Sequence, residues 1–133
     1  MKIFLDTGAF IAAADDTDHY HLPAVKFITS DFTRYQPVTS NFVLCETLNF
    51  LRNRAGYQAA VTFREKLAER NAISIITVNP LLEEQAWKIF KKYKDKDFSF
   101  TDCTSFAIMK ALHINTAFTF DSHFSQFGFT RLP

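Results

Sequence analysis

Lys2-Ile3-Phe4-Leu5-Asp6-Thr7-Gly8 is the stretch on which the fold turns. Its short apolar run, Lys2–Leu5, reads as a buried strand, and an acid stands directly at the strand's carboxyl end. Reading onward, Ala9–Ala14 forms a short helix with Asp6 or Thr7 as N-cap. Asp15–His21 is a polar loop. Leu22, Val25, Phe27, Ile28 and Phe32 then recur at helical spacing, with Pro23 where a first turn tolerates it. Gln36–Thr39 is a second strand, and Ser40 caps a helix over Asn41–Arg54 that Gly56 breaks. Tyr57–Glu69 is an amphipathic helix. Ile73–Val78 is the clearest strand, because three Ile and a Val fall within six residues. Asn79-Pro80 stops it. Leu81–Lys94 is helical, with Glu83 and Glu84 early and lysines late, as the helix dipole favours. After a loop over Asp95–Phe100, Thr101 caps a helix to about His113. Thr116–Phe120 is a strand, Asp121–Gln126 a turn or helical turn, and Phe129–Leu132 a last strand. Strands separated by helices need crossover connections. The expected fold class is α/β: a mainly parallel sheet of four or five strands, covered by helices on both faces.

The 133 residues fit one domain, 1–133, with 47% hydrophobic and 22% charged side chains. Only three Gly are present, and no glycine-rich phosphate loop exists. A net charge of +1 does not indicate a globally basic nucleic-acid binder, so any such contact must be local. Cys45 and Cys103 lack metal-ligand spacing and read as small buried hydrophobes. No run of apolar residues is long enough for a membrane span, and Met1–Leu5 is too short for a signal-peptide core. The expected location is the cytoplasm.

Parallel sheets place ligand sites outside the carboxyl ends of their strands. Asp6 follows the first strand and Asp121 the fourth, so parallel strands bring both to one sheet edge. Glu46 has Phe42, Val43 and Phe50 as helical neighbours and shares an apolar stripe. Asp102 leads to Phe106 and Met109 at i+4 and i+7. Each acid has a plain structural reading: Asp6 as a bare cap, Asp102 serving a helix dipole, Glu46 paired with Arg52, Arg54 or Lys110, Asp121 in an Asx-turn. Together they are expected to converge on one pocket. Four close carboxylates cannot all stay ionised unaided. A hard divalent cation resolves the conflict, and oxygen-only ligands favour Mg²⁺ or Mn²⁺ over Zn²⁺. Such ions suit displacement at phosphorus.

Four blocks carry a resemblance: Phe4-Leu5-Asp6-Thr7; Val38-Thr39-Ser40-Asn41-Phe42-Val43-Leu44-Cys45-Glu46-Thr47-Leu48; Phe98-Ser99-Phe100-Thr101-Asp102-Cys103-Thr104-Ser105-Phe106-Ala107; and Ala117-Phe118-Thr119-Phe120-Asp121-Ser122-His123-Phe124. In order and over nearly the whole chain, they resemble the PIN-domain family, in particular its VapC-type toxin ribonucleases. The family's acidic quartet falls on Asp6, Glu46, Asp102 and Asp121, and its small hydroxyl position on Thr7. The resemblance implies a compact α/β/α sandwich, a divalent-cation site, cleavage of single-stranded RNA, a homodimer, and a small antitoxin covering the site.

Lys88, Lys91, Lys92, Lys94 and Lys96 lead into the Thr101–Asp102 turn. They form either a solvated helix face or a guide for phosphates, and Tyr93, Phe98 and Phe100 among them could stack unpaired bases. Lys92, Lys94, Lys96, Thr7 and His123 are accordingly the candidate substrate contacts. His19-Tyr20-His21 is expected simply to meet solvent. Sixteen Phe exceed what the core of 133 residues needs, so some are expected at a dimer or antitoxin interface. The antitoxin should present Arg or Lys to the acids. The resulting expectation is a Mg²⁺- or Mn²⁺-dependent endoribonuclease, the toxin of a toxin–antitoxin pair. The alternative is a non-catalytic RNA-binding or protein-interaction module on the same scaffold.

Overall fold

A computed structural model describes residues 1–133. Five strands form one sheet: β1 (Lys2–Leu5), β2 (Gln36–Ser40), β3 (Ser74–Ile76), β4 (Thr116–Phe118) and β5 (Thr130–Leu132). Their order is β3-β2-β1-β4-β5, and every neighbouring pair is parallel. β1 is central because both its faces are covered. Ile3, Phe4 and Leu5 are all buried, which is why the strand reads as a continuous apolar run and not as an alternation. Phe4 sits opposite Val38 on one side and Ala117 on the other.

The helices are α1 (Thr7–Ala14), α2 (His21–Ser30), α3 (Asn41–Ala55), α4 (Tyr57–Arg70), α5 (Pro80–Lys92), α6 (Phe100–Ala111) and α7 (Ser122–Phe127). Local chemistry fixes their ends. The Ser40 hydroxyl accepts the Val43 N–H, and Gly56, at φ 100°, turns the chain from α3 into α4. Asn79 caps α5 with Pro80 in its first turn. α6 begins earlier than expected, and its cap is Ser99, not Thr101. Ser99 Oγ accepts the Asp102 N–H while Asp102 returns a carboxylate to the Ser99 N–H, a reciprocal capping box.

Three further expectations are corrected. Ile73–Val78 shrinks to β3, an edge strand with Ile75 exposed, because the Val78 N–H leaves the ladder for Asn41 Oδ1 at 2.9 Å. Cys45 is exposed on α3, whereas Cys103 is buried as expected. Most of the Phe surplus is core. Phe98, Phe106, Phe124, Phe127 and Phe129 pile ring on ring beneath α6 and α7, and only Phe50 and Phe90 are exposed. No helix is long and apolar enough to cross a membrane.

From β1 the chain steps outward to β2 and β3, then returns to β4 on the other side of β1. The order reverses there, so the carboxyl ends of β1 and β4 flank a crevice where loops diverge. Asp6 leaves β1 and Thr119–Asp121 leaves β4 at that crevice.

Candidate active site

A cleft of about 540 Å³ opens at this crevice, and Asp6, Thr7, Glu46, Asp102 and Asp121 all line it. The four acids picked out in the sequence therefore share one cavity. Each arrives differently. Asp6 is the N-cap residue of α1, yet its side chain makes no cap hydrogen bond. Its carboxylate is buried and accepts the Thr119 hydroxyl at 2.9 Å, so the bare-cap reading is set aside. Thr119 Oγ1 also accepts the Asp121 N–H at 3.0 Å. One buried hydroxyl thus ties the ends of β1 and β4 together. Nothing in the sequence singled Thr119 out, although a Thr two residues before a strand-end acid is the available signal.

Asp102 is buried at the third position of α6. Its Oδ2 is 3.1 Å from the Ser99 N–H and 2.9 Å from His123 Nδ1. Asp121 is half-buried and caps α7 through the His123 N–H at 2.9 Å. His123 Nδ1 also lies 3.4 Å from Asp121 Oδ1. Asp102, Asp121 and His123 offer three donor atoms within 4.8 Å of one another. The structure thus places His123 on the acids themselves.

Glu46 corrects an expectation. The buried positions of α3 are Val43, Leu44, Thr47 and Leu51. The Phe42–Glu46–Phe50 row lies one step round the helix, so Glu46 is exposed and faces the cleft rim, not the core. Its proposed cationic partners are occupied elsewhere. Arg54 reaches Asp15 and Asp18 at 3.2 and 3.0 Å, Arg52 lies over Tyr57, and Lys110 over Phe127.

The electrostatics are strained in the metal-free protein. Burial raises the Asp6 carboxyl to about 7, and the charges of Asp102 and Asp121 add to it. The Thr119 hydroxyl and the Thr7 N–H only partly offset this. Asp102 is raised too, by burial before all else and against its bonds from His123 and Ser99. Burial alone would lower His123, but its bond to Asp102 and the charges of Asp121, Asp102 and Asp97 leave it raised. Burial likewise pushes the Cys103 thiol up to about 11, which removes it as a nucleophile. Thr7 Oγ1 is buried beside Asp6 with no hydrogen-bond partner. Crowded carboxylates, one of them buried beside an orphaned hydroxyl, are the donor set a hard divalent cation suits.

Lys92, Lys94 and Lys96 are exposed at the end of α5 and in the turn after it, and none lines the cleft. Lys92 Nζ lies 5.4 Å from the Tyr93 ring centroid. Phe98 is buried, and Tyr93 and Phe100 pack against other rings, so these three do not form an open stacking surface.

The PIN-domain family profile matches residues 3–130. The chain belongs to the PIN-domain family. Two curated PIN relatives, the 23S rRNA-specific endonuclease VapC20 of Mycobacterium tuberculosis strains CDC 1551 and H37Rv, are each 36% identical over 132 residues. The match covers 98% of this chain and 97% of each of theirs. The crystal structure of M. tuberculosis VapC20, described as a sarcin–ricin loop cleaving toxin, superposes with a TM-score of 0.90 at 34% identity, covering 97% of both chains. The FitAcB structure from Neisseria gonorrhoeae shares the fold, with a TM-score of 0.67 at 16% identity. Within the PIN family this chain is of the VapC type, an endoribonuclease, and the non-catalytic alternative is set aside. PIN nucleases use divalent metal ions, and an acidic cluster suited to one is present here.

Proposed function

We propose that this chain hydrolyses phosphodiester bonds in an unpaired loop of ribosomal RNA, with Asp6, Glu46, Asp102 and Asp121 as the acidic set holding Mg²⁺ or Mn²⁺. The observation that carries this reading is Asp6. It is a buried carboxylate with no cation beside it, facing a cleft that four further acids line, Glu46, Asp102 and Asp121 among them. An ion bound there would polarise the phosphoryl oxygen, activate water and neutralise the leaving oxygen.

The chain's own residues supply the positioning. Thr119 holds Asp6 and the Asp121 backbone in register, and His123 fixes Asp102 Oδ2. One carboxylate of the set would take the proton that the attacking water loses. The Thr7 hydroxyl, buried at the cleft floor without a partner, would orient a phosphate oxygen only once the substrate or ion has entered. Lys92, Lys94 and Lys96, outside the cleft, would meet RNA phosphates further along the strand. The choice of a ribosomal RNA loop rests on the named substrate of the VapC20 relatives.

The proposed partners are a second copy of the chain and a small antitoxin. The acids would receive Arg or Lys from the antitoxin. An apolar groove of about 570 Å³ between α1, α2 and α4, walled by Phe10, Phe32, Phe63 and Leu67, would receive its apolar side chains.

The test is cleavage of ribosomal RNA and of an isolated sarcin–ricin stem-loop, with EDTA, Mg²⁺ or Mn²⁺. Metal-restored cutting by the wild type and none by Asp6→Asn is expected. Cutting that persists in EDTA, or that Asp6→Asn retains, would contradict the reading.

A further inference from the structure

The cleft has a second wall that the acids do not explain. Tyr20, in the loop before α2, stacks on Phe120 with centroids 4.5 Å apart and planes 8° apart. Phe50 of α3 lies beneath the Arg54 guanidinium, 5.6 Å from its ring centroid. Both rings are thus backed from one side, and Tyr20 and Phe50 each remain 43% exposed. Exposed aromatics that face a polar cleft are costly to leave in water unless something covers them.

The loop that presents Tyr20 is rigidly built. Asp15 accepts the Thr17 N–H and hydroxyl on one oxygen and faces Arg54 Nε with the other. Asp18 accepts the Tyr20 N–H on one oxygen and Arg54 Nη1 on the other. Arg54 therefore locks the Tyr20 loop to the end of α3, and both rings are set in place before any ligand arrives.

Charge decides what fits. Five acids line the cleft against one cation, Arg54, which is already paired. A nucleotide's phosphate gains little there without metal, so attraction independent of the ion must come from uncharged surface. We propose that the Tyr20–Phe50 wall is a base-binding subsite. On it an unpaired RNA base stacks while its phosphate lies toward Asp6 and Asp102. This rests on the nuclease reading above and adds the residues that select unpaired over paired RNA. A base inside a helix has no free face to offer these rings, whereas a looped-out base has two.

The test uses the full chain and a short single-stranded RNA of mixed sequence carrying 2-aminopurine, with Ca²⁺ in place of the catalytic ion. The wild type should quench the fluorophore. Tyr20→Ala and Phe50→Ala should each bind roughly tenfold or more weakly and lose quenching, while Tyr20→Phe, which keeps the ring, stays within about twofold. Tyr57→Ala, an exposed ring outside the cleft, should match the wild type. In cleavage assays the two Ala variants should raise KM far more than they lower kcat. Equal affinities for wild type, Tyr20→Ala and Phe50→Ala, or no quenching by the wild type, would overturn the subsite and leave the rings to a protein partner. If Asp6→Asn still abolishes cleavage in that case, the nuclease reading stands while this inference falls.

Discussion

Two pairs of aspartates, one within the cleft and one on the loop at its edge, are built in opposite ways. Asp15 and Asp18 share Arg54, and Thr17 saturates one oxygen of Asp15. The Asp15 carboxyl is accordingly held below its usual range, by Thr17 first and Arg54 after it. Asp6 and Asp102 have no Arg or Lys within reach, and burial raises both. The first pair is compensated and fastens a loop. In the second, His123 and Ser99 offset the burial of Asp102 only in part, and Asp6 has no cationic partner at all, the company a cation site would keep. Residue type alone does not distinguish the pairs; the company each carboxylate keeps does.

The largest contrast should be in activity. Asp6→Asn is expected to lower cleavage by about three orders of magnitude or more, since it alters the most buried member of the acidic set. Arg54→Ala, which strikes the compensated pair, should retain metal-dependent cutting with a raised KM. Comparable kcat losses in both variants would erase the distinction.

A pH series sharpens it next. Folded Asp6 titrates near 7 against an ordinary 3.8, so between those values the native state binds more protons than the unfolded chain. Metal-free stability from this group is therefore greatest below about pH 4 and falls as pH rises to about 7, by a few kcal/mol at most. Asp15 contributes with the opposite sign, since its stabilisation is lost on acidification. In EDTA, the melting temperature of Asp6→Asn should exceed that of the wild type by a margin that grows from pH 4 to pH 7. A margin that stays constant across this window would show that Asp6 is not the frustrated group.

Smaller effects follow from the fastenings. Arg54→Ala leaves buried Asp15 and half-buried Asp18 without their cation and should cost about 1–2 kcal/mol. That is less than a fully buried pair because Arg54 is itself 39% exposed. Thr119→Val removes the only side-chain donor to Asp6 and should cost about 1 kcal/mol in the metal-free protein, with Thr119→Ser recovering most of it. Denaturant melts measure both. A neutral Thr119→Val would mean that the hydroxyl does not hold Asp6.

The sequence made the frustrated pair legible and hid the compensated one. Asp6 and Asp121 were readable because parallel strands deliver their ends to one edge, and Asp102 because its helical neighbours are core residues. Glu46 reaches the cleft for a different local reason than its sequence neighbours suggest. A stripe containing Phe42 and Phe50 looks buried, yet the core takes the adjacent row, Val43, Leu44, Thr47 and Leu51. The Arg54 pairing spans 36 residues to Asp18, and no periodicity encodes contacts made across a loop. Tyr20 was hidden for the same reason. The polar run Asp15–His21 looks like solvent-facing loop until Asp15 and Asp18 are seen holding Arg54. β3 is shorter than its Ile-rich stretch suggests because it serves a sheet edge, where one neighbour and a side-chain bond to Asn41 shorten the ladder.

The central claim, that Asp6 belongs to a cation site left frustrated without its ion, is tested most directly by melting temperature in EDTA and in Mn²⁺ for wild type, Asp6→Asn and Arg54→Ala. An ion at a hundredfold its dissociation constant adds about 2.7 kcal/mol to the state that binds it. We expect Mn²⁺ to raise the melting points of the wild type and Arg54→Ala by several degrees and to leave Asp6→Asn nearly unmoved, with Asp6→Asn the more stable of the first two in EDTA at neutral pH. A wild type indifferent to Mn²⁺, beside an Asp6→Asn variant that melts lower in EDTA, would make Asp6 a structural residue and contradict the account.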